Sequence, residues 1–299
     1  MTDLLTVLAE PLTYEFVRRA LYVAVLAATA CAVLSCWLVL LGWSLLGDAV
    51  SHAVLPGVVL AYLFGLPFAV GAVAFALLAV ALIGRVHSRS VVKEDTAIGV
   101  VFTSLFALGL VLISVFPSQI DLNHILFGNI LGVRREDVWQ VLAITILVLT
   151  VLLARRRDLT LFAFDRSHVH ALGLSTAVLS AILLGALALT AVVALQAVGV
   201  IMVVALLITP GATALLWTKR IRTMLVLAPV IAVTSAVAGI WVSFFLDMAS
   251  GPAIVLILSL NFAVAYVLGP RQAIGARVWA RAHTRRARRS VVAQAGSSK

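Results

Sequence analysis

Gly47-Asp48-Ala49-Val50-Ser51-His52-Ala53-Val54-Leu55-Pro56-Gly57 lies between long apolar stretches and places a carboxylate and an imidazole four residues apart. Four residues make about one helical turn, so both side chains can share one helix face. An Asp at the centre of a membrane helix costs roughly 2.5–3.5 kcal/mol on insertion scales, and such residues usually serve a function. A carboxylate oxygen and an imidazole nitrogen form a plausible partial site for a divalent transition metal. Two non-metal readings stand beside that one: Asp48 as a helix N-cap, and Asp48 with His52 as a structural ion pair.

The rest of the chain supplies the apolar setting. Of its 299 residues, 63% are hydrophobic and 11% charged, and the mean hydropathy is +1.17. Such an apolar excess excludes an ordinary soluble domain. The apolar runs are long enough to cross a bilayer as helices. The expected fold is an all-α integral membrane protein, a polytopic bundle of eight or nine transmembrane helices. Candidate spans run over about 17–41, 48–64, 67–84, 97–116, 138–154, 171–195, 198–209, 224–246 and 252–268. The 198–209 segment crosses only if its helix continues to about Trp217. No G-x-x-x-x-G-K-[ST] loop occurs, so if transport is driven by nucleotide the motor is another polypeptide, and this chain is expected not to be an enzyme.

Charge sets the sidedness. The formal net charge is +10, and the basic residues gather in Arg85 to Lys93, Arg155 to Arg166, Lys219 to Arg222 and the tail Arg271 to Arg289. Two candidate spans separate each cluster from the next, so all four can face the cytoplasm together. Positive-inside topology explains the basicity better than nucleic-acid binding does. The early segments leave two arrangements open. If all three cross, the N-terminus is outside and the count is nine. If one is re-entrant, as a helix broken near Asp48 would permit, the count is eight and the N-terminus is inside, the arrangement that Arg18-Arg19 favours. Residues 1–15 are expected to form an amphipathic surface segment, 16–270 the membrane domain, and 271–299 a basic cytoplasmic tail. No cleaved signal peptide is expected.

Other groups have plainer readings. Cys31 and Cys36 lie inside the first apolar run and are read as packing residues. Pro117 to Gly132 is too apolar for an ordinary loop and too short to cross, so a surface or re-entrant helix is expected, with Asp121 and His124 as an interfacial pair. His168 and His170 fall in a basic loop, Asp247 ends a span, and His87 and His283 sit among arginines. Thr209-Pro210-Gly211 is expected to break its helix on the cytoplasmic side, ahead of Lys219-Arg220-Ile221-Arg222. A short helix there would suit a groove on a partner, with Arg155 to Leu172 as the competing location.

These stretches together resemble the permease subunit of the metal-ion ABC importers, the ABC-3 family serving manganese, zinc and iron. The matching runs are Leu45 to Gly57, Glu94-Asp95-Thr96-Ala97-Ile98-Gly99, Leu126-Phe127-Gly128-Asn129-Ile130-Leu131, Phe164-Asp165, Leu206 to Ala214 and Gly251 to Leu256. They cover about residues 15 to 270. The wording around Ser51-His52-Ala53 and Ile208-Thr209-Pro210 is nearer the manganese and iron members than the zinc members. The chain departs from the pattern at Gly42-Trp43, where relatives often carry basic residues, and at Gly211, often Ala.

The resemblance implies a vitamin B12-importer-like permease in the bacterial plasma membrane, paired with a second copy of itself. It further implies cytoplasmic ABC ATPase subunits and an extracytoplasmic metal-binding protein as partners, and lipid but no nucleic acid around it. It implies that Asp48 and His52 match the pathway metal site, and that Pro210, Gly211, Lys219, Arg220 and Arg222 belong to the ATPase-coupling element. No cofactor is expected to stay bound; the transported ion is Mn²⁺ foremost, with Zn²⁺ or Fe²⁺ in the same machine as the alternative. A stand-alone secondary metal transporter is the alternative of another class, but it usually shows several intramembrane acids and internal repeats, where this chain shows one motif.

Overall fold

The computed structural model describes residues 10–116, 135–198 and 200–269. Among these, every regular element is helical. That follows from the setting: without water, a spanning backbone must satisfy its hydrogen bonds within itself. After a 3-10 turn at Glu10–Thr13 come α1 (Glu15–Leu41), α2 (Ser44–Ala53), α3 (Leu55–Leu63), α4 (Phe68–Arg89) and α5 (Glu94–Val115). Then follow α6 (Arg135–Ala154), α7 (Arg156–Phe164), α8 (Arg166–Ala171), α9 (Thr176–Val198), α10 (Val200–Trp217), α11 (Ile221–Leu246) and α12 (Ser250–Leu268). Pro117 to Gly132, with Asp121 and His124, lies outside the described residues, as do the first nine residues and the tail with His283.

Helix α1 is the centre of the bundle. It packs against α6, α9, α10 and α11, and its inner face is a run of small residues: Ala20, Ala24, Ala27, Ala28, Cys31 and Ala32 are all buried. Small side chains let helix backbones approach closely, which drives association where lipid is as apolar as leucine. Both cysteines are free and fully buried. Helices α4 and α5 are far more exposed, with Leu77, Leu78, Leu108 and Val111 facing outward. On the far side Asn261 of α12 donates to Ser235 of α11 at 2.9 Å, an interhelical bond of the kind worth about 0.6 kcal/mol in a membrane.

Gly42-Trp43 forms a helix-ending turn. Gly42 adopts φ 75° and closes α1, and the Trp43 amide donates to the Leu38 carbonyl at 2.8 Å, the glycine-terminated helix end described for soluble proteins. The chain turns back at once, so the second span starts at Ser44 rather than near Asp48. Val54 joins α2 to α3, with Pro56 in the first turn of α3. The two helices together still form a single apolar span, Ser44–Leu63.

Among the described residues, seven helices are long and apolar enough to cross a membrane, α2 with α3 counted as one. Helix α6 reaches the mark together with α7, from which it bends by 65°. Helix α10 is apolar over Met202–Trp217; at 1.5 Å per residue its 18 residues reach about 27 Å. The expected break at Thr209-Pro210-Gly211 is not present: α10 runs through it. The reason is packing. A Cβ on Gly211 would lie 2.6 Å from the Ser35 carbonyl oxygen of α1, so the glycine allows contact between helices. Membrane helices tolerate proline where neighbours compensate the freed backbone groups.

Ring contacts fix which ends meet. Tyr14, before α1, lies 5.8 Å from Phe244 near the end of α11. At the other end, Trp43 lies 6.1 Å from Phe162 of α7, edge-on. Helix α7 belongs to the basic segment, and α11 leads away from another. The start of α1 therefore lies at the end of the bundle opposite α7 and the α10–α11 connection, as expected if all three early segments cross and contrary to the arrangement that Arg18-Arg19 favours.

Candidate metal site

Asp48 is the fifth residue of α2 and His52 the ninth, so the cap reading of Asp48 fails: Trp43 occupies the cap position. The helix turn delivers the expected geometry. His52 Nε2 lies 3.4 Å from Asp48 Oδ1. The two side chains are 23% and 39% exposed respectively, where most of α2 is buried. Ser51 between them is buried and donates to the Gly47 carbonyl at 2.8 Å. Gly47 itself faces α10, where an added Cβ would meet Leu207 at 3.2 Å. One face of α2 thus seats against α10, and the face bearing Asp48 and His52 stays half open.

Helix α5 covers one flank of His52. The Phe102 ring lies 5.3 Å from the imidazole, tilted by 57°, and Phe106 lies 5.4 Å away at 81°. Sequence reading overlooked both phenylalanines. Their only sequence signal is the i, i+4 spacing, which any packed helix face shares.

Among the described residues, no group of three or more His, Cys, Asp or Glu is placed to hold an ion. One chain therefore offers two protein ligands at Asp48 and His52, fewer than the four of a structural zinc site or the six or more of a hard cation. The pair can bind an ion only with water or with groups from elsewhere.

The remaining candidates separate from this site. His168 and His170 lie exposed on α8, whose N-terminus Asp165 caps by accepting from the His168 amide at 2.9 Å. Asp247 ends α11 in a left-handed conformation. No short helix separates α10 from α11: only Thr218, Lys219 and Arg220 connect them, and Arg222 sits in the first turn of α11. Short helices occur at the competing location instead. Helix α7 buries Leu159 and Phe162 and exposes Arg156 and Arg157, an amphipathic element with one face against the bundle.

Comparison with known proteins gives a consistent picture. The profile of the ABC 3 transport family matches residues 13–269. The manganese transport system membrane protein MntB of Synechocystis sp. is 48% identical over 272 residues, 91% of this chain and 89% of that protein. The chelated iron transport system membrane protein YfeD of Yersinia pestis is 45% identical over 267 residues, 89% of this chain and 90% of the other. The solved structure of PsaBC from Streptococcus pneumoniae in complex with Fab superimposes with a TM-score of 0.83 at 36% identity, covering 90% of this chain and 97% of that one.

Proposed function

The chain belongs to the ABC 3 transport family, and we propose that it is the permease of an ATP-driven importer whose cargo is a divalent metal ion, Mn²⁺ foremost. It is a multi-pass membrane transport component and not an enzyme. We place it in the bacterial plasma membrane, where ATP hydrolysis falls to cytoplasmic ATPase subunits and an extracytoplasmic protein delivers the ion. Relatives described as manganese and chelated-iron transport proteins support the cargo class. Iron is the second reading, favoured by YfeD. Affinity order does not choose between the metals, because a site of this donor type binds Zn²⁺ or Cu²⁺ more tightly than Mn²⁺.

The observation that carries the site is the half-open Asp48–His52 pair on a mostly buried helix. In our reading the pair takes the ion in passage, and a second copy of the chain supplies the missing ligands. A two-fold axis brings equivalent surfaces together, so two Asp and two His can converge. Such a site, or one chain's pair plus retained water, holds an ion without trapping it.

ATPase coupling is assigned to the basic end of the bundle. Helices α7 and α8 supply the short elements there, and Lys219, Arg220 and Arg222 share that side. Pro210 and Gly211 lie behind them in α10, where Gly211 seats that helix on α1.

Metal accumulation measured in cells with and without the chain tests the cargo. Manganese should fall most on deletion; a fall confined to zinc would overturn the Mn²⁺ assignment. Cysteines replacing Asp48, in a background lacking Cys31 and Cys36, test the second copy. They should cross-link two chains with a short reagent. Motifs held more than about 15 Å apart in every state would defeat shared ligation, since metal–ligand bonds span only roughly 2–2.5 Å.

A further inference from the structure

Among the described residues, the His52 imidazole is flanked by two phenyl rings, and its polar neighbour is the Asp48 carboxylate. A metal-ligating histidine normally donates its second ring nitrogen to a carboxylate, carbonyl or water, which fixes the ring orientation. Here the described contacts of the ring are the Asp48 carboxylate and the two phenyl rings of α5. Phe102 and Phe106 also pack on each other, 6.1 Å apart and inclined by 25°. The three rings form one cluster that leaves the imidazole 23% exposed.

Helix α5 is built to bring them there. Phe102, Leu105, Phe106 and Gly109 follow the i, i+3, i+4, i+7 pattern of one helix face. Leu105 is buried. Gly109 marks the close approach, since a Cβ there would lie 2.9 Å from the Leu55 side chain at the start of α3. A larger residue at 109 would push α5 outward and withdraw both rings from His52.

The torsion that turns an imidazole about its Cβ–Cγ bond is broad and has no sharp staggered wells. An unsupported ring therefore samples many orientations, and ordering it opposes ion binding. Flat aromatic walls remove that freedom where a branched aliphatic chain would leave gaps. We propose that Phe102 and Phe106 are positioning residues for His52, fixing its ring so that Nε2 and Asp48 Oδ1 converge on one ion. The inference rests on the reading of His52 as a pathway ligand. It also predicts a weaker site than one built on a carboxylate–histidine pair, because phenyl rings orient the ligand without raising its basicity.

The test uses the purified full chain in lipid nanodiscs with Mn²⁺ alone. Electron spin-echo modulation of bound Mn²⁺ reports nitrogen bonded to the metal. The unsubstituted chain should show imidazole coupling, and His52→Ala should lose it. Phe102→Leu/Phe106→Leu should weaken or scatter that coupling and raise the Mn²⁺ Kd about tenfold, the lower end for loss of orienting partners. Phe106→Tyr keeps a ring in place and should preserve both readouts. If the double variant fails to fold, Phe106→Leu alone carries the same comparison. Unchanged nitrogen coupling in the leucine variants would overturn the positioning role. Absence of coupling in the unsubstituted chain would overturn the ligand reading itself.

Discussion

Thr209-Pro210-Gly211 in α10 and Asp48 with His52 in α2 are both interruptions of an apolar helix, and the fold treats them differently. The first is absorbed by packing. Gly211 lets α10 close on the Ser35 carbonyl of α1, Thr213 is buried and donates to the Thr209 carbonyl at 2.7 Å, and the helix continues to Trp217. The second is left open. Asp48 and His52 stay partly exposed, 3.4 Å from each other, with no third metal-type ligand among the described residues. An interruption that packing explains needs no chemistry. One that packing leaves unsatisfied marks where chemistry is expected, because an ionisable group inside a membrane is costly to keep.

The sharpest way to break this contrast is to remove the open pair. Asp48→Ala and His52→Ala should each bring metal uptake down to that of cells lacking the chain. The melting temperature of the purified protein should stay within a few degrees, because neither side chain is fully buried. Uptake that survives both changes would make the pair as structural as the proline and glycine of α10.

Gly211→Val attacks the other member. Its new carbon atoms would meet the Ser35 backbone, and overpacking of this kind costs about 1–3 kcal/mol. The folded yield and melting temperature should drop, and transport per folded molecule should change little. Gly57 sharpens the point, since by sequence it closes the polar motif. In the fold it packs backbone to backbone against Gly71 of α4, so Gly57→Ala should behave like Gly211→Val and unlike Asp48→Ala.

How much of this the sequence displays depends on the range of the interaction. Local effects are legible. Hydropathy marks the spans, and the i, i+4 spacing places Asp48 beside His52. The limits of α10 follow once its helix is allowed to reach Trp217. Long-range contacts are not legible. Nothing near Pro210 announces Ser35, 175 positions away by numbering, so the local breaking tendency of Pro-Gly suggested an end that tertiary packing overrides. Phe102 and Phe106 went unremarked for the same reason: on α5 they resemble any apolar pair, and only the fold sets His52 against them. Gly42 ends α1 by a local rule, yet its value to topology appears only when Trp43 meets Phe162.

The coupling assignment makes a smaller, graded prediction. Arg156→Ala/Arg157→Ala on α7 should reduce cargo-stimulated ATP hydrolysis several-fold in the assembled importer. Lys219→Ala/Arg220→Ala/Arg222→Ala should reduce it less, because that connection holds no separate helix to press into a partner. The reverse order would return the principal contact to the α10–α11 connection.

Pro210→Ala should have the smallest effect. Proline has no amide hydrogen, so the Leu206 carbonyl lacks its helical partner at position 210. Alanine restores that donor and fits the same turn. A typical intramolecular hydrogen bond contributes a net 0.5–1.5 kcal/mol, so the melting temperature should hold or rise slightly. If transport also holds, Pro210 belongs with Gly211 as a packing residue. If stability rises while transport falls, the flexible point that proline leaves in α10 is used during the cycle. In that event α10 joins α2 as a helix whose interruption packing alone does not explain.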